Sequence, residues 1–176
     1  MKIIHTAIPD IIVFEPAVFN DERGYFFESY QQQQYRDHIG DVAFVQDNIS
    51  SSAKGTLRGL HLQREPFAQG KLCQVLSGTV LDIAVDVRKN SPTYGKYVAV
   101  ELSGENKQQI WIPAGFAHGF SVLSETALFH YKCTNYYNKA SERCLLYNDP
   151  LLHIDWKVQN PIVSEKDKKG VLLKDL

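Results

Sequence analysis

The chain has 176 residues, 44% of them hydrophobic and 22% charged, which is the composition of one ordinary folded domain and excludes disordered, collagen-like and disulfide-stapled peptide classes. Nineteen Lys and Arg balance twenty Asp and Glu, for a formal charge of -1. No global field recruits a nucleic acid or an anionic membrane, so any anion must be held by a local cluster.

At the N-terminus, His5, Pro9, Asp10 and Glu15 interrupt the apolar residues, so the segment lacks the continuous apolar run of a signal peptide. No stretch reaches transmembrane length. Ile3 to Phe14 carries two short apolar runs, expected to pair with a sheet edge or with a second subunit; the latter favours a homodimer. A helix is expected around Tyr30 to His38.

From about Val42 to Tyr147, β-branched and aromatic runs alternate with Gly, Pro, Asn and Ser, the pattern of a sandwich or barrel. Leu72 to Leu76, Ser77-Gly78, then Val80 to Val87 reads as a hairpin turning at the glycine. Tyr97–Leu102, Gln109–Pro113, Ala117–Leu123 and Thr126–Thr134 continue the series, and a second short helix opens at Ser164. With no repeat or long linker, residues 1–176 are expected to form a single all-β domain with two short helices and terminal extensions. Cys73, Cys133 and Cys144 are odd in number and widely spaced, which argues against a disulfide framework or a zinc knuckle and for the reducing cytoplasm.

The densest unusual segments are Gly55 to Gln63 with Gln69-Gly70-Lys71, and Trp111 to Phe120. They sit where the two motifs of a cupin would sit. The positions that hold ligands in a metal-binding cupin read His61, Gln63 and Lys71, with His118 in the second motif. An ammonium in place of a carboxylate opposes a cation, so no metal site is expected. One imidazole and one fixed cation in a barrel suit proton abstraction beside a carbonyl, with His61 as base and Lys71 steadying the enolate.

Over nearly its whole length the chain resembles the dTDP-4-dehydrorhamnose 3,5-epimerases of deoxysugar biosynthesis. The resemblance runs from Ile8-Pro9-Asp10 and Phe14-Glu15-Pro16 through Asp21 to Ser29, Phe44 to Asn48, Leu57 to His61, Gln69-Gly70-Lys71, Ser91 to Lys96, Trp111 to Phe120 and Tyr131 to Tyr137, ending at Ser164-Glu165-Lys166-Asp167. It implies a jelly-roll (cupin-like) homodimer that inverts C3 and C5 of dTDP-4-dehydro-6-deoxy-D-glucose without a cofactor. It also implies His61 as base, Asp167 as its carboxylate partner, Tyr131 as the acid on the opposite face and Lys71 as the enolate's partner. Arg23 and Arg58 match the diphosphate clamp, while Phe26, Glu28, Gln46, Asn48 and Tyr137 match the nucleotide site, a subset reaching across the dimer. His118 and Asp82 match pocket members. Cys144, Tyr147 and Lys157 depart from the residues common in the family, Gly, Trp and Pro.

Plainer readings compete at several positions. Strand alternation puts His61 and Arg58 on opposite faces, so both reach one pocket only if the strand bulges at Gly59. Tyr131 fits a barrel-lining aromatic, and Ser164-x-x-Asp167 fits a helix-capping pair. Asp82 and Asp86 share a face opposite Leu81, Ile83 and Val85, which ordinarily leaves the aspartates wet. The competing functions are a C3-only or C5-only epimerase, a non-catalytic sugar-binding cupin and a metal-dependent cupin oxygenase.

Overall fold

The computed structural model describes all residues from Met1 to Leu176. Strands β1 (Lys2–His5) and β2 (Ile12–Glu15) pair antiparallel, followed by the β3 (Val18–Asp21)–β4 (Gly24–Phe27) hairpin. Helix α1 (Gln32–Ile39) follows, capped by the Gln31 side chain, which accepts the Gln34 N–H at 2.7 Å. The barrel is built by β5 (Gln46–Ala53), β6 (Thr56–Gln63), β7 (Lys71–Ser77), β8 (Thr79–Asp86), β9 (Tyr97–Ser103), β10 (Gln109–Ile112), β11 (Phe116–Val122) and β12 (Thr126–Cys133). Short strands β13 (Glu142–Cys144) and β14 (Ile162–Val163) and two 3-10 turns complete the chain.

Two six-stranded sheets face each other in a jelly-roll. The first runs β1-β2-β10-β7-β12-β5; the second runs β13-β6-β11-β8-β9, with β14 added parallel to β6. Between them lies a core containing Val13, Cys73, Val75, Ile110 and Phe129 from the first sheet and Val80, Ala84, Phe116, Phe120 and Val122 from the second. The outer face of the second sheet is covered by the C-terminal segment, where Leu145, Leu152, Trp156, Val163 and Leu173 pack on Leu57, Leu60, Leu81, Ile83 and Val85. Tyr35 of α1 packs with Ile12, Phe14, Leu72 and Trp111 on the outer face of the first. Burial on both faces is why β8 reads as a nearly continuous apolar run.

That two-sided cover corrects the expectation for the aspartates. Asp82 and Asp86 are both fully buried. Asp86 is matched by Arg88, whose Nε and Nη2 lie 2.9 and 2.7 Å from its oxygens, and by the hydroxyls of Ser91 and Thr93, each at 2.6 Å. Burial alone would raise the Asp86 carboxyl, but these donors outweigh it and hold the group well below the usual carboxylate range.

The reading of β7 and β8 as a hairpin is also corrected. The chain does turn at Gly78, with φ +81° and no room for a Cβ, which would stand 2.0 Å from the Thr126 carbonyl oxygen. The turn is a corner, however: β7 pairs with β10 and β12, while β8 pairs with β11 and β9 in the facing sheet. At the N-terminus the apolar runs extend the chain's own first sheet, β2 pairing with β10. The expected C-terminal helix is a single 3-10 turn, Asp167–Lys169.

Candidate active site

Strand β6 carries the two polar groups whose alternation conflicted. Leu57, Leu60 and Leu62 all pack on the outer cluster, while Arg58 and His61 line the space between the sheets. One extra residue, Gly59, makes this possible: opposite it, β11 advances two positions from His118 to Phe120 while β6 advances three from Arg58 to His61. Gly59 has φ +136°, and a Cβ there would lie 2.5 Å from the Gly119 Cα, so only glycine fits the bulge. The bulge expected from the sequence is present.

The same glycine helps place the carboxylate. Asp167 Oδ2 accepts the Gly59 N–H at 3.2 Å, and Oδ1 lies 2.6 Å from His61 Nε2. Ser164 Oγ accepts the Asp167 N–H at 3.1 Å. Only the Ser164 half of the capping reading is present: the Asp167 carboxylate serves Gly59 and His61 instead of the turn, and the cap-like turn aims it at the imidazole. Burial pushes the Asp167 carboxyl upward, but the His61 contact, the Gly59 N–H and Ser164 together hold it below its ordinary value. With Nε2 committed to Asp167, His61 Nδ1 is the nitrogen left for other chemistry.

The facing sheet supplies the opposite wall. On β12, Phe129, Tyr131 and Cys133 point inward, and Tyr131 sits across the ladder from Asn48 of β5 and Cys73 of β7. Lys71 Nζ lies 5.9 Å from the centre of the Tyr131 ring. Burial, with the Cys133 and Cys73 thiols nearby, pushes the Tyr131 hydroxyl up to about 12, so it carries its proton throughout the neutral range.

These residues share one cavity of about 680 Å³, lined by Asn48, Arg58, His61, Lys71, His118, Tyr131 and Asp167. Its charge is positive on balance. Arg58 and Lys71 face it, Lys166 stands at its edge, and the one acidic side chain, Asp167, is 4% exposed and occupied by His61. Ser52, a residue that sequence reasoning did not single out, fixes Arg58 by accepting its Nε–H at 3.0 Å and leaves the rest of the guanidinium free. Gln46 and Tyr137 adjoin the cavity through Asn48: Gln46 Nε2 donates to Asn48 Oδ1 at 3.0 Å, and the Tyr137 N–H donates to Gln46 Oε1 at 2.9 Å.

Besides Gln46 and Tyr137, four expected residues fall outside this cavity. Asp82 is sealed beneath His118, which it meets at 2.9 Å, so it can act on a ligand only through that imidazole. Burial lowers the His118 pKa against the opposing pull of Asp82, favouring a neutral ring. Arg23, Phe26 and Glu28 lie on or beside the β3–β4 hairpin. Arg23 pairs there with Asp21 at 2.6 Å, Glu28 accepts from Gln34, and Phe26 is 69% exposed. His61 and His118 are paired across β6 and β11, but each is turned to its own carboxylate.

Cys144 stands beside the dyad, an arrangement that spacing in the sequence did not reveal. It is directly opposite His61 on the β13–β6 ladder, and its Sγ is 3.8 Å from Asp167 Oδ1. Burial, followed by the Asp167 charge, raises its thiol to about 12.

The sequence model described as dTDP-4-dehydrorhamnose 3,5-epimerase matches residues 5–175. The chain belongs to this family. It is 57% identical over 171 residues to the dTDP-4-dehydrorhamnose 3,5-epimerase of Shigella flexneri, covering 97% of this chain and 94% of the relative. Among solved structures, it is similar to the dTDP-6-deoxy-D-glucose-3,5-epimerase of Legionella pneumophila in complex with dTDP-4-keto-L-rhamnose. That similarity has a TM-score of 0.95 at 52% identity and covers 98% of this chain and 93% of the other. A 3'-monoepimerase of Streptomyces bikiniensis, in complex with dTDP-quinovose, also superposes, with a TM-score of 0.91 at 31% identity over 97% of this chain and 87% of that one. No helix is long and apolar enough to cross a membrane.

Proposed function

We propose that this chain is a dTDP-4-dehydrorhamnose 3,5-epimerase, inverting C3 and C5 of dTDP-4-dehydro-6-deoxy-D-glucose with its own side chains. The observation that carries the reading is that the His61–Asp167 pair and the Tyr131 phenol project from facing sheets into one cavity, with Lys71 on the phenol's sheet. Inversion at carbon needs a base on one face and an acid on the other, because a proton returned to its own face regenerates the substrate.

In each half of the reaction, His61 Nδ1 takes the proton from the carbon beside the C4 ketone. The bonding pair moves into the carbonyl to give an enolate, and Lys71 meets the oxygen where the charge appears. Tyr131 then protonates the same carbon from the opposite side, and solvent restores both groups. General-base action supplies about 10²- to 10⁴-fold and one oxyanion donor about 10²- to 10³-fold, so neither suffices alone. Asp167 holds the imidazole in the tautomer whose lone pair faces the substrate. Arg58 takes the diphosphate, and Gln46, Asn48, His118 and Tyr137 position the nucleotide sugar.

Arg23, Phe26 and Glu28 serve this site from a second copy of the chain. The hairpin that presents Arg23 and Phe26 leaves Phe19, Tyr25 and Phe26 more than half exposed, which supports a homodimer in which it covers the partner's cavity. The three cysteines are unpaired, in keeping with the cytoplasm.

A single-carbon epimerase is the second reading, because the Streptomyces bikiniensis 3'-monoepimerase has the same fold. The greater identity to double epimerases favours two inversions. Incubating the 4-ketosugar with the protein in deuterium oxide and following both carbons by NMR decides between them. Deuterium is expected at C3 and C5. Label at one carbon only would establish the single epimerase, and label at neither would reject enolisation.

A further inference from the structure

The bulge at Gly59 and the pairing of β13 with β6 place three different ligand atoms together at the cavity wall. Residues directly opposite on an antiparallel ladder have their Cβ atoms about 4.5–5.5 Å apart, and Cys144 is opposite His61. Asp167 Oδ1 is shared between them, 2.6 Å from His61 Nε2 and 3.8 Å from Cys144 Sγ. One imidazole nitrogen, one sulfur and one carboxylate oxygen thus lie within 4.8 Å of one another.

Tetrahedral zinc sites have Zn–S near 2.3 Å and Zn–N and Zn–O near 2.0–2.2 Å, which sets ligand-to-ligand separations of roughly 3.3–3.6 Å. The sulfur-to-oxygen distance is close to that requirement, and the nitrogen-to-oxygen distance would open by about 0.7 Å. Asp167 keeps its Gly59 and Ser164 anchors during that shift, since neither uses Oδ1. A thiolate and an imidazole select zinc-like ions over magnesium or calcium, which take oxygen ligands.

A second His, Cys and Asp cluster, formed by Cys73, Asp82 and His118, has donor atoms equally close together. All three of its residues are buried, however, whereas the His61 side chain is 30% exposed and Cys144 is half-buried. An arriving ion and the water it keeps therefore have a path to the Cys144 cluster alone.

We infer that His61, Cys144 and Asp167 form an inhibitory site for Zn²⁺, with its fourth coordination position open to the cavity. The cation takes the Nε2 lone pair, so the neutral ring carries its single proton on Nδ1. Cys144 gives its thiol proton to solvent, and one proton is released for each ion bound. The nitrogen facing the substrate then becomes an N–H donor without a lone pair. Binding of the ion is independent of the function proposed above; the loss of turnover rests on His61 being the base.

Cobalt(II) titration of chelator-treated protein reads the site directly, because thiolate ligation to Co²⁺ gives a charge-transfer band. A band saturating at one ion per chain is expected in the wild type and in Cys73→Ala, and none in Cys144→Ala. Turnover should fall with Zn²⁺, recover with a chelator and ignore millimolar Mg²⁺. Cys144→Ala, whose side chain takes no part in proton transfer, should retain basal turnover while needing at least about 100-fold more Zn²⁺ for half-inhibition. That figure exceeds the usual 10- to 100-fold cost of losing even an outer partner of a metal ligand. A band that survives Cys144→Ala, or disappears in Cys73→Ala, would overturn the site. A Cys144-dependent band with turnover indifferent to Zn²⁺ would overturn the inhibition and, separately, the reading of His61 as base.

Discussion

Replacing Asp167 by Asn changes almost no volume but removes one of two acceptors. The carboxylate accepts from His61 Nε2 on one oxygen, at 2.6 Å, and from the Gly59 N–H on the other, at 3.2 Å. An amide can satisfy only one of these. With its oxygen on the Gly59 N–H, its NH₂ meets Nε2 and forces the ring proton onto Nδ1, so the cavity loses its base. In the reverse orientation the NH₂ opposes the Gly59 N–H and leaves a buried donor unpaired, at a cost of about 1–3 kcal/mol. The first orientation wins, and a wrong-tautomer imidazole costs roughly 10⁴-fold in a comparable His–carboxylate system. Asp167→Asn should therefore lower kcat by about 10³- to 10⁴-fold, with KM and calorimetric dTDP binding nearly unchanged. A kcat within tenfold of the wild type, or a loss confined to KM, would refute the dyad.

Tyr131→Phe should retain solvent deuterium exchange while losing most net inversion, measured by NMR on the same sample. The Tyr131 hydroxyl titrates near 12 in the folded chain against about 10 unfolded, so its share of stability is complete below pH 10 and disappears as the pH rises towards 12; the Phe variant should show a shallower alkaline loss by chemical denaturation. Gly59→Ala forces a side chain onto a +136° φ and into the Gly119 backbone. Strain and overpacking each cost about 1–3 kcal/mol, so the melting temperature should drop by roughly 4–24 °C. Asp86→Asn removes charge-assisted bonds worth about 1.5–3 kcal/mol at neutral pH. Because the Asp86 carboxyl is held low when folded, that contribution is present above about pH 4 and lost as acid protonates it, so the two proteins should converge in stability in strong acid.

Local chemistry in the sequence located six strands, β7 to β12, to within one residue at each end. Tyr97–Leu102 and Thr126–Thr134 differ from β9 and β12 at one end only. Partners were harder to read, because Gly78 announces a turn whether the next strand pairs back or crosses to the facing sheet. Strand β5, Gln-Asp-Asn-Ile-Ser-Ser-Ser-Ala, carries little β-propensity, and its pairing along β12 holds it in place. The bulge at Gly59 was legible because two polar residues needed one face. Burial of Asp82 and Asp86 was not, since their face of β8, shared with Ala84, is covered by the facing sheet, while Leu81, Ile83 and Val85 find their cover in a C-terminal segment far away in the chain. The place of Cys144 beside His61 was hidden as well: nothing between residues 61 and 144 encodes their pairing on neighbouring strands.

The central claim is that His61 removes the protons from carbon. Solvent exchange into dTDP-4-dehydro-6-deoxy-D-glucose, compared between wild type and His61→Asn in deuterium oxide at saturating substrate, tests it most directly. The account predicts deuterium at both C3 and C5 with the wild type, and exchange at both carbons reduced to near background with the variant while dTDP still binds. Exchange at wild-type rates in His61→Asn would contradict it.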